Sequence, residues 1–154
     1  FRYPGIGLIG LWMQAMVINV QFRQWLKIDP YAGIIYSLAY LLVFIFFLLN
    51  WSLAGFPSVT IGCFLNTLVI GLNKGQMPFS AYVARATGQA NLLKISAKTW
   101  TTFKPVSPQT RLPFLGDVIP LAKPFPVPSA MSIGDIFILA GLFWFIQQVM
   151  LEKQ

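Results

Sequence analysis

Apolar side chains along this chain come in long runs, not in the alternating or one-faced patterns of a water-soluble domain. Crossing a hydrocarbon layer about 30 Å thick takes about 20 mostly apolar residues. Four stretches approach that length: residues 4–22, opened by Pro4 in a first helical turn; 31–53, which contains the run FIFFLL; 57–73; and 132–151. In lipid such segments must satisfy their backbone groups internally, as helices do. The pattern predicts an all-α, polytopic transmembrane helical protein. Residues 1–154 form a single membrane domain with four spans, and one long loop, 74–131, joins the third span to the fourth.

That loop has two unlike halves. At 100° per residue, Leu92, Leu93, Trp100 and Phe103 share one face while Lys94, Lys98 and Thr101 lie opposite, so residues 79–104 read as a helix lying in the membrane interface. Residues 105–128 hold seven of the eleven prolines and read as extended or turn-rich chain. Their content of Leu, Ile, Val and Phe argues that this half packs on something.

Composition agrees with a lipid environment: 56% of residues are hydrophobic and only 10% charged, against about 25% charged in soluble proteins. The charge balance adds a direction. Eleven Lys and Arg oppose four Asp and Glu, which in a soluble chain would point to nucleic acid. Beside apolar spans it reports topology and contact with anionic lipid head groups, and no nucleic-acid partner is expected. Arg23 and Lys27 follow the first span, and Lys74, Arg85, Lys94, Lys98, Lys104, Arg111 and Lys123 follow the third, with only Arg2 and Lys153 on the other side. The loop is therefore expected in the cytoplasm, with both ends of the chain outside. Asn50-Trp51-Ser52, formally a glycosylation sequon, would then face outward but lie too close to the bilayer to serve as an acceptor. The single cysteine, Cys63, excludes an intrachain disulfide and reads as a small packed hydrophobe. The chain opens on Phe1 rather than Met, which leads us to expect a processed or shortened start, and no signal peptide is legible.

Within the runs, small and polar residues fall on stripes: Gly7, Gly10, Gln14 and Gln21 in the first; Ser58, Gly62, Asn66 and Asn73 in the third; Gly134, Gly141 and Gln148 in the fourth. Helices in lipid associate by close packing and interhelical hydrogen bonding, and such stripes provide both. The alternative is a polar pathway or ligand site lined by Gln14 and Asn66. Asp135 stands in the first turn of the last span, after Ser132, where a capped helix start favours a carboxylate. A sharper reading pairs Asp117 or Asp135 with Arg111 or Lys74 to clamp the loop onto the helix ends, and Arg111 is favoured because its planar fork suits a carboxylate.

Catalytic chemistry has little to work with. No histidine is present, so there is no His-based triad and no His-type zinc or haem site. One cysteine makes no iron–sulfur cluster, the aspartates are isolated, and no glycine-rich phosphate loop occurs. Neither catalytic residues nor a metal nor a cofactor is expected.

Three pieces of the chain are similar to one known family. They are Asn73-Lys74-Gly75-Gln76-Met77-Pro78 after a span, Thr110-Arg111-Leu112-Pro113-Phe114-Leu115-Gly116-Asp117, and Ser132-Ile133-Gly134-Asp135 at the last helix start. Together they resemble DUF5317, a family of small, functionally uncharacterised bacterial integral membrane proteins. Lys74 stands where that pattern has the first of two glycines. The likeness covers residues 65–142, more weakly upstream, and implies a bacterial plasma membrane protein, with one further N-terminal span in the family. It lends no catalytic role to any residue.

Two non-catalytic functions remain. The first is an accessory or scaffold subunit of a larger membrane complex, respiratory or photosynthetic, which meets other membrane-protein subunits through its spans. The second is a small transporter or a lipid- or small-molecule-binding membrane protein. The topology is open to direct test in intact cells. A cysteine placed at Lys98 should escape an impermeant thiol reagent and one at Gln154 should react; modification at position 98 would reverse the assignment.

Overall fold

The computed structural model describes residues 1–23, 29–96, 101–124, 126 and 128–152. In chain order the elements are α1 (Pro4–Arg23), α2 (Asp29–Leu49), α3 (Phe56–Leu72), β1 (Met77–Phe79), α4 (Ala81–Ala86), α5 (Ala90–Ser96), β2 (Phe103–Pro105), a 3₁₀ turn (Pro113–Leu115), β3 (Ile119–Leu121), β4 (Ser129–Met131) and α6 (Ile133–Leu151). Helices α1, α2, α3 and α6 pack in that sequence, each against the next. The residues between α3 and α6 form a cap over one end of them.

Helix α2 shows why the order is fixed. Ala32, Tyr36, Ala39 and Val43 recur every three or four residues and are all buried, while Tyr31, Ile34, Leu38 and Leu41 on the outer side stay exposed. Val17 of α1 and Val69 and Ile70 of α3 close on Tyr36, and Met77 and Leu115 of the cap join the same cluster. Val43, Val59 and Cys63 make a second cluster further along, which Ile138 and Leu142 of α6 cover.

The tightest contact is between α3 and α6, which run antiparallel. A methyl group at Gly62 would meet the carbonyl of Gly134, with Ile138 Cγ1 at 2.7 Å and Ile138 N at 2.9 Å, and one at Gly141 would meet the carbonyl of Gly55 and the amide nitrogen of Val59 at 2.8 Å. Only hydrogen at these positions lets the two backbones approach so closely. The turn after α3 requires glycine for a different reason. Its chain reverses through Lys74 and Gly75, at φ 60 and 79, and the Gly75 amide returns to Ile70 O at 2.9 Å. Lys74 occupies a left-handed conformation that costs a non-glycine residue roughly 1–2 kcal/mol.

Two expectations are corrected here. The chain is not all-α: β1 pairs in parallel with β2, and β3 pairs antiparallel with β4. Nor are there four spans. Among the described residues only two helices are long and apolar enough to cross a membrane, over Tyr31–Leu49 and Ile133–Leu151; the apolar parts of the other two, Pro4–Asn19 and Phe56–Leu72, are shorter. A helix of 17 residues reaches about 26 Å at 1.5 Å per residue, less than the hydrocarbon layer. The second run also ends earlier than its composition suggests, because Asn50 to Leu53 form turns.

The interfacial helix is likewise replaced by two short ones, α4 and α5, separated at Gly88. Residues 105–128 contain no α-helix among the described residues, though they include the 3₁₀ turn. Readings that rest on Gln21, Arg23, Lys27, Leu92, Lys98, Trp100, Lys153 and Gln154 fall on residues or side chains outside those described.

Replacing Gly62 with Ala should therefore force the α3–α6 backbones apart and destabilise the fold by about 1–3 kcal/mol. Replacing Gly71 with Ala, where nothing lies within 4 Å of the new carbon, should stabilise it by about 0.4–1 kcal/mol. Denaturation in detergent, monitored by circular dichroism, measures both; equal effects would contradict the close approach.

Candidate functional site

The cap meets the helices through amides and carboxyls placed at helix ends. Asn66 lies on the inner side of α3, opposite Gly134, where an added carbon would meet Asn66 Oδ1. Its Nδ2 donates to Asp135 Oδ1 at 2.8 Å, and its Oδ1 accepts from Ser132 Oγ at 2.9 Å. Ser132 N donates to Asp135 Oδ2 at 2.9 Å and Asp135 N donates to Ser132 Oγ at 3.0 Å. This is a capping box tied across to a second helix. Asp135 thus uses both oxygens, and Asn66 and Ser132 are buried with partners.

Asn73, capping the C-terminal end of α3, holds the proline-rich half of the cap. Its Nδ2 donates to Arg111 O at 2.8 Å and to Val69 O at 2.7 Å, and its Oδ1 accepts from Arg111 N at 3.0 Å. Arg111 does fasten the cap, through its peptide group. Its side chain is exposed, and among the described residues no ion pair joins it to Asp117 or Asp135. An exposed guanidinium gains little from such a pair, whereas the buried amide of Asn73 needs peptide partners.

The same device recurs at the opposite end of the bundle. Asn50 is 3% exposed; Arg2 N donates to its Oδ1 at 2.6 Å, and its Nδ2 donates to Arg2 O at 2.9 Å and Phe46 O at 2.8 Å. The amide of the formal sequon is occupied inside the fold, which is a stronger reason than closeness to a bilayer for it to escape glycosylation. Phe1 stacks on Phe56 beside it, with ring centres 5.8 Å apart.

Asp117 is the remaining acid of the cap, and it is buried. Its main chain is paired on both sides: Asp117 N donates to Pro78 O at 2.8 Å, and Ser80 N donates to Asp117 O at 3.1 Å. Burial, and then the charge of Asp135, push its carboxyl up to about 8.

Of the stripe residues, Gly62, Asn66, Gly134 and Gly141 come together at the α3–α6 contact, and Ser58 Oγ donates to Phe137 O at 2.7 Å across it. Gly7 faces the Phe46 ring and Gly10 faces Ala39 and Val43 of α2. Gln14 is half-buried on α1 with no side-chain partner among the described residues, and no hydrogen bond there joins it to Asn66. The clamps made by Asn50 and Asn73 escaped the sequence reading. Their one signal is an Asn directly after each apolar run.

No group of three or more Cys, Asp or Glu residues that could hold a metal occurs among the described residues. The structure thus defines a helical bundle with a small β-containing cap and two helices long and apolar enough to cross a membrane. The chain belongs to DUF5317, a family of unknown function, whose sequence profile matches residues 1–147. It is also 32% identical over 120 residues to an uncharacterized protein of Thermotoga maritima, across 78% of this chain and 67% of that protein. No solved structure matches.

Replacing Asn73 with Ala should remove the Arg111 clamp, cost about 1–3 kcal/mol and expose residues 105–112 to a protease of broad specificity. Replacing Arg111 with Ala keeps the peptide and should leave that protection intact. Digestion of the two variants side by side decides between a peptide clamp and a side-chain clamp.

Proposed function

We propose that the protein is a non-catalytic accessory or scaffold subunit embedded in the bacterial plasma membrane. In this reading α2 and α6 cross the bilayer, α1 and α3 pack beside them, and the cap lies on the cytoplasmic side against anionic head groups. The observation that carries it is the surface of α6. Only Gly134 and Gly141 of this helix are buried, while Leu139, Phe143, Trp144, Ile146, Met150 and Leu151 are each at least 55% exposed. An apolar face this continuous is costly in water and suits lipid or a neighbouring subunit.

The cap adds support for the head groups. Lys74, Arg85, Lys94, Lys104, Arg111 and Lys123 all point outward, and Asp117, the single acid between residues 74 and 131, is inside. The cap therefore presents cations without interspersed acids, as a surface facing anionic lipid does. A second reading, a small lipid- or small-molecule-binding protein, draws on an apolar groove of about 240 Å³ lined by Leu8, Leu11, Val43 and Phe46.

Membranes of a bacterial host producing the protein, washed with alkaline carbonate and then dissolved in mild detergent, provide the test. The protein is expected to stay in the washed membrane and to copurify with a stoichiometric membrane-protein partner. Release by carbonate would overturn the membrane reading, and a single-component particle carrying bound lipid would replace the subunit reading with the second one.

A further inference from the structure

We propose that Asp117 is a proton-binding site that latches the cap onto the helix ends: with its carboxyl protonated the cap docks, and with it ionised the cap loosens. This inference is independent of whether the protein serves as a subunit or binds a ligand.

The geometry begins with the backbone. Asp117 is carried inward on a segment bridged to Phe79, and its N–H and C=O are both taken by the β1 region, at Pro78 and Ser80. Gly116, just before it, lies so close to Pro78 that a side-chain carbon there would meet the Pro78 carbonyl, with Pro78 Cβ at 3.0 Å. The segment therefore lies tight against β1, and the docked cap keeps Asp117 out of water. It is 7% exposed. Among the described residues no N–H or O–H donates to it and no cation pairs with it.

The titratable groups that act on or respond to its charge are Asp135 of α6 and Tyr36 and Tyr40 of α2, none of them cationic at neutral pH. Asp135 already accepts from Asn66 and Ser132 with both oxygens, so it is committed elsewhere and gives Asp117 no hydrogen-bond partner. A buried carboxylate with no donor and a negative neighbour is far costlier than the neutral acid. Protonation removes that cost without any new partner.

The sign follows from linkage. Docked, the carboxyl titrates at about 8; released into water it returns to about 3.9. The docked state therefore holds the proton more tightly. Its advantage is fully present below the ordinary aspartate range, falls as pH rises from there, and is exhausted above about 8.

Amide hydrogen exchange in detergent, comparing wild type with Asp117→Asn at each pH, tests the latch, because the intrinsic pH dependence of exchange cancels in the ratio. Exchange at the Met77 and Asp117 amides of wild type, relative to the variant, should rise at least about tenfold between pH 5 and pH 7 and level off near pH 8 to 9. Infrared spectra of the wild type give a second measurement that survives a poorly folding variant. A protonated carboxyl band present at pH 6 should disappear on titration through pH 8, and Asp117→Ala should lack it. A flat exchange ratio, or no protonated carboxyl band at pH 6, would overturn the proposal. So would protection that follows sodium or potassium concentration at fixed pH, which would make Asp117 a metal-cation ligand instead.

Discussion

The close antiparallel contact of α3 with α6 is the constraint from which the remaining arrangement follows. Helices in an apolar surrounding gain little from burying one another's side chains, so they associate where backbones approach and polar groups find partners. Gly62 facing Gly134 and Gly141 facing Gly55 provide the approach. Asn66, joined to both Ser132 and Asp135, provides the polar partner and sets the register, since a shift of one residue would leave its buried amide without these partners. Leaving such groups unmade costs about 1–3 kcal/mol each, more when charged.

With α6 held there, the cap has little freedom. Its two ends are the turn after α3, held by Asn73, and the start of α6, held by Asn66. Met77 and Leu115 are drawn into the cluster around Tyr36, and the Asn73 amide fixes the peptide of Arg111 midway along. Short parallel pairing of β1 with β2 then closes the cap on itself, with Met77 opposite Phe103 and Phe79 opposite Pro105. The charges are sorted by this closure: cations, whose long side chains reach water easily, stay outside, while Asp117 goes in with the backbone that carries it.

The bundle's outer faces are apolar, the cap's outer face is cationic, and among the described residues the buried polar side chains have partners within the fold except for the Asp117 carboxyl. Such a distribution suits a protein that sits between lipid and water and holds a fixed shape. Membership of DUF5317 extends the question to that family.

Much of this was legible along the chain. Residues 4–22, 57–73 and 132–151 correspond to α1, α3 and α6 within one residue at each end, because an apolar run bounded by Pro, Asn or a Ser-x-x-Asp start specifies a helix through local chemistry alone. The glycine and asparagine stripes were visible for the same reason: a period of 3.6 residues places them on one side whatever surrounds the helix. How far each helix reaches, and so how many are long enough to cross a membrane, was not, since Trp51 and Leu53 carry the apolar character of α2 on into the turn that ends it. Only the tertiary structure decided that Met77 pairs with Phe103, that Asn73 grips the peptide of Arg111 rather than its side chain being held by a carboxylate, and that Asp117 is buried. Each of these depends on residues far apart in the chain meeting at a common surface, where backbone groups that look alike in any sequence compete for the few partners the packing leaves within reach.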